Sequence, residues 1–382
     1  MLTWLFWVLL VASLYSYFLY PVVLIVLNRI LNRPPIKPVS ASDSSELTLS
    51  LIVTVFNEKD RIEDKIKNLM SLQFDSSRLE IIIASDSSDD GTDEIVASYA
   101  AQGIKLVRAT ERLGKENAQQ SAIKVANGDV LVFSDVATVM DVDALSNLER
   151  YFADKTVGAV SSEDRFISKD GTVAGEGAYV KYEMWLRSQE SRLGGLVGLS
   201  GSFFAARKEV CELWDIYSPS DFNTALNCSF LQLRSISAPD VLGYYEDLKD
   251  PSKEYARKVR TVLRGMNGLS RHIDVLDVRK YGLFSMQVFS HKVMRWGVPW
   301  FLLALLIVTT LVLSDGLIYQ LAFVGQVSFY TAAILGHLNT NARQFSVIKL
   351  IYFFVQVNIA LMDSSLKFIR GQKMTTWKPS AR

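Results

Sequence analysis

The 382-residue chain has only two cysteines, Cys211 and Cys228, and only three widely spaced histidines, His272, His291 and His337. So few ligands build neither a disulfide framework nor a structural zinc site. No Gly-x-Gly-x-x-Gly fingerprint occurs, and Gly114-Lys115 has Ala109 where a P-loop requires its first glycine. Catalysis must therefore rest on carboxylates, with a metal and basic side chains cradling any phosphate. Net charge is also scarce, at +1 from 41 basic and 40 acidic residues. Its distribution says more: residues 1–48 carry 3 basic and 2 acidic residues, 49–280 carry 29 and 36, and 281–382 carry 9 and 2. The acidic middle argues against a nucleic-acid partner, and the basic last stretch holds long apolar runs that point to a membrane surface. A soluble cytoplasmic protein is excluded.

Residues 1–28 contain no charge and are long enough to span a bilayer. They lack a basic n-region and an Ala-x-Ala exit, so they read as an uncleaved anchor. Arg29, Arg33 and Lys37 follow, which puts the C-terminal end of the anchor in the cytoplasm, a bacterial inner membrane being the expected setting. Residues 29–46, rich in proline and serine, form a linker. Residues 281–295 read as an amphipathic interfacial helix, and 296–343 as a transmembrane hairpin with Ser314-Asp315-Gly316 outside. Within residues 344–382, the run 350–362 is short and carries Gln356 and Asn358, which favours an interfacial helix over a third C-terminal span. Such a placement keeps the basic tail, with Trp377 and Arg382, on the cytoplasmic side.

Between these segments, residues 47–280 alternate strand and helix. Strands are expected at 47–56, 79–84, 105–108, 130–133 and 157–161, and helices at 58–72, 92–101, 115–126 and 143–152. The consecutive isoleucines at 81–83 suit a parallel sheet buried on both faces. The pattern predicts an open α/β sheet whose ligands sit at the carboxyl ends of the strands. Polar residues gather at those ends: Asn57-Glu58, then Ser85 through Thr92, then Ser134-Asp135. Asn57, Asp90 and Asp143 are equally readable as helix caps. Asp86 and Asp135 each follow a hydrophobic strand on one rim, where a carboxylate could accept from a nucleobase or hold a metal.

These residues resemble a known family. Val53 to Glu58, Ala84 to Thr92, Gly114-Lys115, Phe133 to Thr138, Gly198 to Arg207, Ser220-Asp221-Phe222 and Arg257 to Arg260 look like the successive signatures of family 2 glycosyltransferases with the GT-A fold. Ser290 to Trp296 and the Trp377 tail extend the likeness to membrane-embedded enzymes similar to hyaluronan, chitin and cellulose synthases. The resemblance implies a Rossmann-like, mostly parallel sheet in a cytoplasmic domain attached to transmembrane and interfacial helices. It implies that Val55, Asn57, Glu58 and Asp86 hold the uridine, that Lys115 and Ser134 approach the nucleotide, and that Asp135 binds a divalent cation, Mg²⁺ or Mn²⁺. Gly201 and Ser202 would face the acceptor sugar, Asp221 would be the general base, and Arg257 and Arg260 would meet the departing diphosphate. Taken alone, Arg257, Lys258 and Arg260 also read as a solvated basic helix face. Glu176, Glu183 and Glu190 recur every seven residues and line one helix face rather than a second metal site.

The chain departs from the family pattern where Ala137 replaces the second aspartate of Asp-x-Asp, where Thr261 stands in place of a tryptophan after the arginines, and at Ser220. The expected activity is inverting transfer of a sugar from a nucleotide sugar to a polysaccharide or lipid-linked acceptor at the cytoplasmic membrane face, alone, as a homo-oligomer or with assembly partners. Ala137 and Thr261 motivate a rival: a catalytically silent, nucleotide-sugar-binding membrane scaffold of a polysaccharide assembly complex.

Overall fold

The computed structural model describes residues 1–40, 46–167, 178–246 and 251–374. Trp377, Arg382 and Glu176 lie outside the described residues. The chain divides into a sheet-bearing unit, Leu24–Lys249 with Asn267–Gln287 and Met374–Arg382, and a helical unit, Met1–Val23, Asp250–Met266 and Val288–Lys373.

Among the described residues the sheet has eight strands: β1 (Leu49–Val55), β2 (Leu79–Ser85), β3 (Ile104–Arg108), β4 (Val130–Asp135), β5 (Val139–Met140), β6 (Val157–Ile167), β7 (Phe203–Arg207) and β8 (Arg234–Glu246), in the order β3-β2-β1-β4-β7-β6-β8-β5. β1 is buried at every position. Leu49, Leu51, Val53 and Val55 feed one apolar cluster and Ile52 the other, so helices cover both faces. On the second face Phe133 stacks between Phe204 and Trp214, with ring centroids 4.8 and 5.0 Å away.

Register builds the functional rim. β1 runs parallel to both neighbours, pairing Val55 with Ser85 and Thr54 with Asp135. Asn57, Asp86 and Asp135 therefore leave the sheet at the same edge. β7 is antiparallel to β4 and pairs Phe203 with Ser134, so the chain reaches β7 from that edge too, through Gly201 and Ser202.

Five strands lie where the hydrophobic pattern places them, and three more, β5, β7 and β8, complete a mixed sheet. β8 holds Pro239, Asp240 and Gly243, poor strand residues that mask it in the sequence. Its pairing with β6 jumps from Ser161↔Ser237 to Glu163↔Leu242, so the proline, which has no N–H to give, falls in the irregularity.

Among the described residues, the helical unit contributes to four helices long and apolar enough to cross a membrane: Leu2–Ile30, Val278–Leu311, Leu317–Leu338 and Ser346–Ile369. Within it Phe6 and Leu9 pack on Leu305 and Val308, while Trp4, Leu317, Leu338 and Val347 are each at least two-thirds exposed, as lipid-facing side chains would be. Two segments differ from expectation. The amphipathic stretch near 281–295 is continuous with the following helix through a π-helical turn at Phe289–Val293. The run at 350–362 is the middle of a 24-residue helix, which removes the length argument for an interfacial position. Two of its polar side chains find partners one turn away: Asn358 donates to the Phe354 carbonyl, and Lys367 pairs with Asp363 at 2.9 Å.

A close approach at Gly128 fixes the turn into β4. Its N–H donates to Ser50 Oγ at 2.8 Å, and an added Cβ would lie 2.5 Å from the Ser50 backbone nitrogen. Gly128→Ala should therefore cost about 1–3 kcal/mol by forcing β1 and β4 apart. A fall of several degrees in the apparent melting temperature of the detergent-solubilised protein checks this, and an unchanged value contradicts it.

Candidate active site

Each rim residue is placed by backbone geometry that its own sequence makes affordable. Asn57 adopts a left-handed conformation at φ 52°, one that asparagine tolerates better than most residues. Its amide donates to Asp89 Oδ1 at 2.7 Å and accepts from the Asp89 N–H at 3.0 Å, zipping the β1 loop to the β2 loop. The Glu58 N–H donates to Thr92 Oγ1, and Asp90 accepts from the Lys59 and Thr92 N–H groups. Val55 is fully buried and offers its carbonyl to the Asp86 N–H at 2.9 Å. Asn57, Glu58 and Asp90 thus hold loops together, and Asp143 sits at a helix N-terminus without a side-chain cap bond.

Asp86 is 2% exposed, and its carboxylate accepts from the Gly114 N–H at 3.1 Å. Burial pushes its carboxyl above the usual carboxylate range, against the opposing pull of the Gly114 N–H. Beside it, the Arg112 guanidinium lies 3.8 Å above the Phe56 ring. A buried acceptor next to a cation–aromatic stack suits a planar heterocycle bearing an N–H.

The charged centre forms around Asp135. Lys115 opens the helix Lys115–Ile123, after Gly114 at φ 109°, and its ammonium donates to Asp135 Oδ1 at 2.5 Å and to the Gly201 carbonyl at 2.8 Å. The Asp135 N–H bonds the Ser202 carbonyl, which ties β4 to the entry of β7. Asp221, in the first turn of the helix Ser220–Phe230, also neighbours Gly201; a Cβ on Gly201 would meet the Asp221 carboxylate at 3.8 Å. The structure therefore brings together Asn57, Asp86, Lys115, Ser134, Asp135, Gly201, Ser202 and Asp221. Arg257 and Arg260 lie on the helix Pro251–Arg271, in the helical unit.

Two residues of this centre escape sequence reasoning. Lys65 is 3% exposed and donates to Ser134 Oγ at 2.9 Å and to the Thr138 carbonyl at 2.5 Å, clamping the turn that carries Asp135. Its signal was available: with Ile62, Ile66 and Leu69 it shares the apolar face of one helix, a position where a solvated lysine does not belong. Asp164 accepts from Ser200 at 2.6 Å and from Ser202 at 2.7 Å, gripping both sides of Gly201. Burial raises its carboxyl, and the serine hydroxyls oppose the rise. Ser200 and Ser202 are 36 and 38 residues distant, so no local pattern announces this grip on Gly201.

Among the described residues no group of three or more histidine, cysteine, aspartate or glutamate side chains could hold a metal by itself. Asp135 is a single carboxylate already facing an ammonium, which stands where a cation would. Such a site fits a divalent ion only when a bound diphosphate supplies further oxygens.

Residues 50–214 match the family described as glycosyl transferase family 2. The poly-beta-1,6-N-acetyl-D-glucosamine synthase of Staphylococcus aureus strain MSSA476 is 27% identical over 208 residues, 53% of this chain and 47% of that protein. The synthase of the same name from Staphylococcus epidermidis strain ATCC 35984 is 27% identical over 175 residues, 44% and 42% of the two chains. The chain thus spans about half the length of the curated relatives it matches. Among solved structures, the mannosyltransferase PcManGT from Pyrobaculum calidifontis, in complex with GDP-Man and Mn²⁺, superposes with a TM-score of 0.75 at 21% identity, over 98% of this chain and 100% of that one. That likeness establishes the fold.

Burial pulls the Lys65 amine down to about 7, with the Asp135 carboxylate resisting the fall. An amine whose pKa is depressed on folding binds fewer protons folded than unfolded between the two values, so stability rises with pH across that window and the penalty is complete below it. Between pH 7 and 8.5 this one group should add about 1–2 kcal/mol of stability. Melting curves of wild type and Lys65→Met at the two pH values test this. The rise should be smaller in the variant by that amount, and equal rises would mean that the Lys65 amine keeps its proton in the folded protein throughout this range.

Proposed function

Since the chain is a family 2 glycosyltransferase, its domain lying at residues 50–214, we propose that it transfers a sugar from a uridine-diphosphate donor, with inversion, to a growing polysaccharide or lipid-linked acceptor at the cytoplasmic membrane face. One observation carries the reading. Gly201 neighbours both Asp221, a carboxylate in no ion pair among the described residues, and the Lys115–Asp135 ion pair. A general base and a charge-neutralising centre at one exposed residue are what a single displacement at an anomeric carbon requires. The relatives' names support a polysaccharide product.

In this reading Asp86 accepts from the uracil N–H, with Arg112 and Phe56 beside the ring. Asp221 takes the proton of the acceptor hydroxyl as its oxygen bonds the anomeric carbon, and the bond from that carbon to the diphosphate oxygen breaks. Lys115 releases Asp135 and turns to the departing diphosphate; by resemblance to the family, Arg257 and Arg260 are candidates for meeting its charge. A divalent cation, Mg²⁺ or Mn²⁺, held by Asp135 would supply further neutralisation of the diphosphate. Ser202 and Gly201, gripped through Asp164, border the acceptor. Ala137 leaves Asp135 without a second motif carboxylate and favours, as the rival, a silent scaffold that binds a nucleotide sugar.

Detergent-purified protein incubated with radiolabelled sugar nucleotides and Mn²⁺ or Mg²⁺ separates the two, since only the enzyme incorporates label. Asp221→Asn should lower turnover by about 100-fold or more while nucleotide affinity stays within roughly threefold, because the base touches the acceptor and not the diphosphate. Unchanged turnover removes Asp221 from the mechanism. Asp135→Ala should lose both donor binding and its divalent-ion requirement. If nucleotide binding in that variant still needs the ion, the cation is held elsewhere, with Asp141 and Asp143 next in line.

A further inference from the structure

Below the apolar helix Leu2–Ile30, on the sheet-bearing unit, lies a cavity of about 310 Å³ that the sugar-transfer reading does not use. It is lined by Ile25, Arg29 and Arg33 on one side and by Gln189 and Arg192 on the other. The cavity is built rather than incidental. Asn32, at φ 48°, ends the helix, and the Arg33 N–H returns to the Asn28 carbonyl at 2.9 Å. Arg192 reaches over from the helix Ala178–Leu193 and donates through Nε and Nη2 to the Arg33 carbonyl, at 2.9 and 2.5 Å. Asn28, 2% exposed, locks the two helices together by donating to the Gln189 carbonyl.

None of the ion pairs among the described residues involves Arg29, Arg33 or Arg192. Each helix end favours one cation through its carbonyl groups. Three guanidinium groups around one concavity still repel one another, and a bound anion would turn that repulsion into attraction. Guanidinium forks match phosphate oxygens in particular. One wall, Ile25, belongs to the apolar span, so the cavity opens where hydrocarbon gives way to water.

We infer that this cavity binds the phosphate of an anionic phospholipid headgroup, whose acyl chains continue along the apolar helix. The site is independent of the transferase chemistry, because no candidate catalytic or donor-binding residue lines it.

The full-length protein in mild detergent is titrated with phosphatidylglycerol, with phosphatidylcholine and with inorganic phosphate, and retained ligand is read by native mass spectrometry. Wild type should prefer phosphatidylglycerol over phosphatidylcholine by about tenfold, and Arg29→Gln/Arg33→Gln should bring the ratio close to unity. Raising salt should weaken the wild-type preference, a measurement that needs no variant. Equal retention of the two lipids by wild type, or a preference untouched by the double substitution, overturns the inference. Inorganic phosphate that competes at the same concentration as phosphatidylglycerol overturns the lipid as the source of the phosphate.

Discussion

The Lys115 ammonium is the contact on which the candidate site depends. It reaches from a helix start to the end of β4 and on to the loop before β7, so one charge holds three chain segments at a common point. Without an ion on Asp135, that lysine keeps the carboxylate from facing water unpaired. With a diphosphate bound, it has a stronger partner to turn to. The contact is worth having only because the sheet delivers its members together: the register of β1 against β2 and β4, and the antiparallel entry of β7, put Asp86, Asp135 and Gly201 on one edge.

Two buried groups beneath that edge look wasteful when judged by stability alone. Lys65 is a buried amine whose hydrogen bonds go to a hydroxyl and a backbone carbonyl, and Asp164 is a carboxylate raised by its own burial. Desolvating a charge costs several kcal/mol unless its partners are fixed. In both cases the partners are the backbone and hydroxyl groups of the loops that carry Asp135 and Gly201. The expense falls where rigidity of the rim matters most, as positioning of a general base and a charge centre demands.

Much of this was legible in the sequence, for physical reasons that also mark its limits. β1, β2, β3, β4 and the start of β6 are short apolar runs bounded by turn residues, and the rim carboxylates follow them directly. β8 was hidden because Pro239 and Gly243 read as loop, and only the irregular pairing with β6 reveals how the sheet accommodates them. The helix Ser346–Ile369 looked short because Gln356, Asn358 and Asp363 interrupt its apolar run; Gln356 bonds Tyr352, Asn358 bonds Phe354 and Asp363 pairs with Lys367, all one turn away. Asp164 could not be read, since its meaning lies in serines that only the folded sheet brings near.

The central claim is a single displacement with Asp221 as the base, and the stereochemistry of the product tests it most directly. The enzyme would be given an α-linked sugar nucleotide labelled with ¹³C at the anomeric carbon, and the first product would be examined by NMR before any exchange. One displacement predicts a β-linked product. An α-linked product would require two displacements or a front-face mechanism, and the assignment of Asp221 as the base opposite the diphosphate would then be wrong.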